Sequence, residues 1–211
     1  ESTTGLATSC QVGFNSFVGG ADGIRVVATG TAQLDVNVTR CLIRGNRLAA
    51  IRATARDTAS IDLAVVAGDV SSAGQGYAGV VLANGEDAHL VSSITASSFD
   101  SLPGPSIHVG QIPGSATAAS DLRLSVSGTA IASASAPSTS SVVAEFGSAP
   151  GALAPGRLLI DANNAFIHRG PQPAVSVTTP DAAASPVVDV IFTNNHVDSE
   201  QYGTSPEPDP Q

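Results

Sequence analysis

Asp35 and Asp62 are the two carboxylates of this chain whose setting suggests chemistry. Each is the second residue of a short alternating run, Leu34-Asp-Val-Asn-Val38 and Ile61-Asp-Leu-Ala-Val65. Alternation of that kind describes a strand with one buried and one solvated face. If the two strands occupy equivalent places in a repeat, the acids stack as neighbours about 4.8 Å apart. Paired carboxylates serve glycoside hydrolysis or cation binding. Calcium takes six or more oxygens, and only two side chains offer themselves here, so no metal and no cofactor is expected.

Basic residues fall into similar phases. Arg25, Arg52 and His108 occupy outward positions on one set of strands, in phase with Val81. Arg123 and Asp189 follow Asp35, Asp62 and Val91 on the next set. Together they predict a shallow polar groove suited to a sugar or an acidic polymer, because arginine holds carboxylates through two parallel hydrogen bonds. The plainer reading of the same residues is a solvated face on which like charges stack only two deep.

Cys10 and Cys41 each lie two residues before an apolar position, Val12 and Ile43, that opens a similar phrase. This shared phase predicts vertical neighbours in adjacent coils. Such a pair favours two buried thiols over a disulfide, since parallel side-chain vectors do not suit the bond. No histidine is placed to complete a zinc site with them. Asn37-Val-Thr39 matches the glycosylation sequon, a triplet common by chance.

Composition narrows the function. The net charge is −9, all nine basic residues are arginine, and no basic stripe is evident. Nucleic acid and anionic membrane are therefore poor partners. No apolar run reaches the length of a membrane-spanning helix, so no membrane insertion is expected. Aromatics make up only 4% of the chain, with no tryptophan, so the core must be Val, Ile, Leu and Ala. The low charge and regular β-branched residues argue against disorder.

The elements that carry these residues repeat. A six-residue phrase with an apolar residue at each end and Asn near its middle reads Val12-Gly-Phe-Asn15-Ser-Phe17 and Ile43-Arg-Gly-Asn46-Arg-Leu48. Weaker copies lie at 65–70, 94–99 and 126–131. The last two are Asp161-Ala-Asn-Asn164-Ala-Phe166 and Phe192-Thr-Asn-Asn195-His-Val197. A first strand is expected to begin at Ile24, Ile51, Val80, Ile107, Val142 and Val175. A second begins at Leu34, Ile61, Leu90, Leu122, Leu158 and Val188. Repeats of this length with short strands describe a solenoid, in which each coil buries its apolar face only against its neighbours.

The phasing and the Asn-bearing turn resemble the right-handed parallel β-helix proteins of pectin-lyase-like fold. The resemblance covers most of the chain and implies an all-β solenoid of about seven coils, roughly 34 Å long at about 4.8 Å per coil. It implies an internal ladder of Asn15, Asn46, Asn164 and Asn195, with Ser97 and Thr129 as substitutes and Gly68 as a gap. Asn suits such a turn because it tolerates left-handed backbone and satisfies nearby amides. Residues 1–198 are expected to form one domain, and 199–211, rich in Pro and acids, a tail or linker.

Enzymes of that fold use an acidic calcium cluster with a basic residue, or three Asp with a Gly-His-Gly segment. This chain has no Gly-His-Gly and no Lys. The reading is therefore a non-catalytic extracellular or cell-surface module: a rigid stalk, adhesin or tail-fibre-like segment of a longer chain or assembly. Its partner is expected to be a polysaccharide or a surface, met by three stacked loops at 110–121, 147–156 and 179–186. The alternative is a polysaccharide lyase or hydrolase, or a degenerate relative of one.

Overall fold

A computed structural model describes residues 7–71, 78–112, 115–133, 139–147, 155–161, 164–168, 171–179 and 187–199. Of the expected tail at 199–211, Ser199 closes the last strand and the rest lies outside the described residues. The described residues form twenty strands and no helix. The first coil holds β1 (Ala7–Gly13), β2 (Ser16–Val18) and β3 (Asp22–Ala28). The second holds β4 (Gln33–Thr39), β5 (Leu42–Arg44) and β6 (Ala49–Ala55). Next come β7 (Ser60–Val66), β8 (Asp69–Ser71) and β9 (Ala78–Asn84), then β10 (His89–Thr95), β11 (Ser98–Leu102) and β12 (Ile107–Gln111). The chain continues through β13 (Asp121–Ser127), β14 (Ala130–Ser133), β15 (Val142–Glu145), β16 (Pro155–Ile160), β17 (Ala165–His168) and β18 (Val175–Thr178). It closes with β19 (Val187–Phe192) and β20 (His196–Ser199).

Every third strand joins the same sheet. Sheet I runs β1-β4-β7-β10-β13-β16-β19 and sheet II runs β2-β5-β8-β11-β14-β17-β20. Sheet III runs β18-β15-β12-β9-β6-β3, and all three are parallel throughout. This is a parallel β-solenoid.

The core is a set of vertical rows. Ile24, Ile51, Val80, Ile107, Val142 and Val175 pair in sequence along sheet III, the row that the sequence predicts. Val12, Val38, Val65, Ile94, Val126, Ile160 and Phe192 form another along sheet I. Phe17, Ile43, Val70, Phe99, Ile131, Phe166 and Val197 form the third, on sheet II. The middle members of these rows are wholly buried. Each fully buried aliphatic side chain contributes about 1.5–3 kcal/mol relative to exposure. Like stacks on like because coils of parallel strands offer one constant width at each height.

One row breaks its pattern. Leu34, Ile61, Leu90 and Leu122 stack, but the next partner is Gly156, not the expected Leu158. A Cβ at Gly156 would lie 2.4 Å from the Phe146 ring. The buried phenyl group fills the place of the missing leucine.

The Asn ladder is shorter than expected. The turn from sheet I to sheet II holds Asn15, Cys41, Gly68, Ser97, Thr129, Asn164 and Asn195, linked by backbone bonds between coils. Asn46 is not among them. It lies in the next corner, between β5 and β6, where its Nδ2 donates to the Gly19 carbonyl. The two corners look alike locally. Gly45 before Asn46 has φ 64°, and Phe14 before Asn15 has φ 56°, so each places a left-handed residue ahead of Asn. The apolar rows decide between them: Ile43 pairs with Phe17, not with Val12.

The same shift corrects the cysteines. Cys10 pairs with Val36, and Cys41 occupies the ladder turn. Both are free thiols, Cys10 exposed and Cys41 buried. The Cys41 thiol stands 3.5 Å from the carbonyls of Val12 and Thr39, the weak donor of a rung that Asn fills elsewhere. The stacked cysteine pair does not form.

Candidate functional site

The outward rows of sheet I near its first coils make the site. Alternation in β4, β7 and β10 sends Leu34, Ile61 and Leu90 inward, so their neighbours must face solvent. One row reads Ser9, Asp35, Asp62, Val91, Arg123, Arg157 and Asp189. The row beside it reads Gln33, Ser60, His89 and Asp121. Between them runs a groove of about 490 Å³, lined by Ser9, Gln33, Asp35, Ser60, Asp62 and His89 among others. Asp35 and Asp62 are exposed and paired across β4 and β7, as their phase predicts.

The predicted single strip of basic and acidic residues divides between two faces. Arg25, Arg52 and His108 stack on sheet III with Val81. Asp35, Asp62 and Arg123 lie on sheet I. Within one coil these strands are separated by a corner of the solenoid, so the six residues do not share a groove. The phase of each row was legible; which rows adjoin depends on where the coil turns.

Three of the four basic residues are also held by acids. Arg52 Nε lies 3.2 Å from both carboxylate oxygens of Asp22, and this pair is partly sheltered. His108 Nε2 lies 3.2 Å from Glu145 Oε2 across β12 and β15. Arg123 Nε lies 2.8 Å from Asp121 Oδ2. The first two pairs tie neighbouring strands to each other, while Arg123 and Asp121 are both on β13.

Acids at the corner before sheet I are likewise used on the backbone. Asp57 Oδ2 accepts the Gly30 amide at 2.8 Å, and Glu86 Oε2 accepts the Asp57 amide at 3.3 Å. Gly30, Asp57 and Glu86 all have φ near 60°, so each amide belongs to a left-handed turn residue facing the next coil. The carboxylates of this corner tie successive turns and leave Asp35 and Asp62 as the groove's acids.

The groove contains residues that the sequence reading passed over. His89, Gln33 and Ser60 each precede the first inward residue of their strand by one position, the signal that would have placed them together. Among the described residues no cluster of three or more His, Cys, Asp or Glu side chains could hold a metal. Of the three expected loops, 147–156 and 179–186 lie largely outside the described residues. The first is fixed to the coil below, where the Thr117 amide donates to the Glu86 carbonyl at 3.1 Å and its hydroxyl to Asp87.

The fold defines the class as a parallel β-solenoid, with a groove on one face in which Asp35, Asp62 and His89 stand beside Leu34, Ile61 and Val91. No protein family, curated protein or solved structure matches this chain.

Proposed function

We propose that this chain is a non-catalytic β-solenoid module of pectin-lyase-like type. It acts outside the cell as a rigid stalk, adhesin or fibre segment and holds a polysaccharide in the sheet I groove. The observation that carries this reading is the groove itself, in which Asp35, Asp62, His89, Gln33, Ser9 and Ser60 form two adjacent polar rows. Carboxylates accept hydrogen bonds from sugar hydroxyls, and amide, hydroxyl and imidazole groups add donors. Strands about 4.8 Å apart repeat these groups at close to the length of one sugar residue. The acids favour a neutral, hydroxyl-rich chain over a uronic-acid polymer, which they would repel.

A glycan array followed by affinity electrophoresis tests this. Binding of a neutral polysaccharide should weaken about tenfold or more in Asp35→Asn/Asp62→Asn, since bonds to charged groups contribute about 1.5–3 kcal/mol each. Arg25→Ala/Arg52→Ala, on the other face, should bind as the parent does. Loss confined to the arginine variant would overturn the choice of face.

The stacking of Asp35 on Asp62 favours one second reading, a glycoside hydrolase with paired carboxyls. Release of reducing sugar ends by the parent protein, abolished in either single Asp→Asn variant, would establish it in place of the first.

A further inference from the structure

The outward row of sheet I changes sign halfway along. Successive coils present Asp35, Asp62, Val91, Arg123 and Arg157, each paired with the next across parallel strands. All five are exposed, Val91 to 39%. Counted in coils from Val91, Asp62 and Asp35 stand one and two to one side. Arg123 and Arg157 stand one and two to the other. The charge pattern is therefore antisymmetric about an apolar centre.

These charges are available for a partner. Among the described residues Asp35, Asp62 and Arg157 make no ion pair. Arg123 gives its Nε to Asp121, which leaves both Nη groups for a second carboxylate. Shape follows the same division. The groove is lined from the first four strands of sheet I and reaches no further than Val91. The two long arginines stand on the half beyond it. Beside the row, Ala64, Ser93 and Ser125 are small, so nothing there holds a second surface away.

We propose that a second copy of this chain packs on the outer face of sheet I, about a two-fold axis that runs along the strands through Val91. Rotation about this axis keeps the strand direction and reverses the order of the coils, so the two solenoids lie antiparallel. Val91 meets Val91, Asp62 meets Arg123 and Asp35 meets Arg157. The contact is isologous, so each charge pair forms twice. The arginines of each copy enter the groove of the other. In the flanking positions Asp121 meets Ser60, and Asp189 meets Ser9, a hydroxyl opposite each carboxylate. His89 meets His89 at the axis.

The charges also fix the register. Sliding one copy by a single coil leaves one kind of acid–arginine contact where there were two. An axis along the solenoid sets Asp35 on Asp35 and Arg157 on Arg157, and like charges face to face are disfavoured. Seven-residue strands in a seven-stranded sheet give a face of about 23 Å by about 34 Å. That is close to the roughly 800 Å² per partner of a standard stable interface. The contact stands on the charge pattern, whether or not a glycan also uses the groove, and the two occupants exclude one another.

Charge reversal tests the pairing. Sedimentation velocity of the parent at low salt should show a species of twice the single-chain mass. High salt should dissociate it, because screening weakens exposed pairs. Asp35→Arg/Asp62→Arg and Arg123→Asp/Arg157→Asp should each sediment as monomers, since each sets like charges on like. An equimolar mixture of the two should dimerise, because each carries the charge that the other lacks. The milder Arg123→Gln/Arg157→Gln should also be monomeric. It leaves the groove's acids intact, so loss of the dimer is read apart from glycan binding. A parent that stays monomeric at every concentration in low salt would overturn the proposal. So would an Arg→Gln variant that dimerises as the parent does, or two reversed variants that keep the parent's circular dichroism and fail to associate when mixed.

Discussion

Asn164 Nδ2 donates to Asn195 Oδ1 at 2.7 Å, while Asn164 Oδ1 accepts the Thr129 amide at 2.9 Å. One buried side chain thus joins three successive coils. Its Nδ2 also stands 3.0 Å from the Val126 carbonyl, so the amide replaces the solvent that this turn excludes. A buried polar group is tolerated here because its partners are in place.

Asn164→Ala should therefore lower stability by about 1–3 kcal/mol, because it leaves the Thr129 amide unpaired in the interior, while the Val126 carbonyl keeps the Asp161 amide at 3.1 Å. Asn15→Ala, at the exposed end of the same ladder, should change stability by less than about 0.5 kcal/mol. Urea midpoints of the two variants measure the difference. Equal losses would mean that the ladder acts through turn propensity instead of buried hydrogen bonds.

Gly156 and Phe146 should be coupled. Gly156→Leu restores the aliphatic row but drives a side chain into the phenyl ring, at a cost of about 1–3 kcal/mol or more. Phe146→Ala alone opens a cavity and costs about 3–5 kcal/mol. The double variant should lose less than the sum, with a favourable interaction energy of about 0.5–3 kcal/mol from the double-mutant cycle. Strict additivity would show that the ring does not fill the leucine site.

The two thiols should differ in reactivity. Native protein without reductant should react with a thiol reagent at Cys10 and not at Cys41, and the unfolded chain should react at both. Titration of only one thiol after unfolding, or of none, would contradict the free state of the pair.

Asp22→Asn should destabilise by about 1 kcal/mol, at the upper end for a partly exposed pair, by removing the carboxylate that holds Arg52 across β3 and β6. The loss should shrink in high salt, because screening weakens the pair that the parent retains. Comparison of thermal midpoints at low and high salt reads this directly. A loss that does not depend on salt would assign the effect to packing of the arginine stem.

The sequence alone determined which residues face inward. Strand alternation is a property of the backbone, so Ile24, Ile51, Val80, Ile107, Val142 and Val175 could be read as one row before any coil was seen. It also placed Asn15, Ser97, Thr129, Asn164 and Asn195 at one turn, and Asp35 over Asp62. Tertiary structure decided what local chemistry leaves ambiguous. Two corners each join a left-handed residue to an Asn, and only the packing of Ile43 on Phe17 sends Asn46 to one and Cys41 to the other. Only the corner between β3 and β4 puts Arg25 and Arg52 on a different face from Asp35 and Asp62. Gly156 takes a leucine's place because Phe146, ten residues away and just past the end of β15, fills the space. Rows follow from a period of two along the chain; their neighbours follow from how the coil closes, and closure is set by side chains distant in sequence.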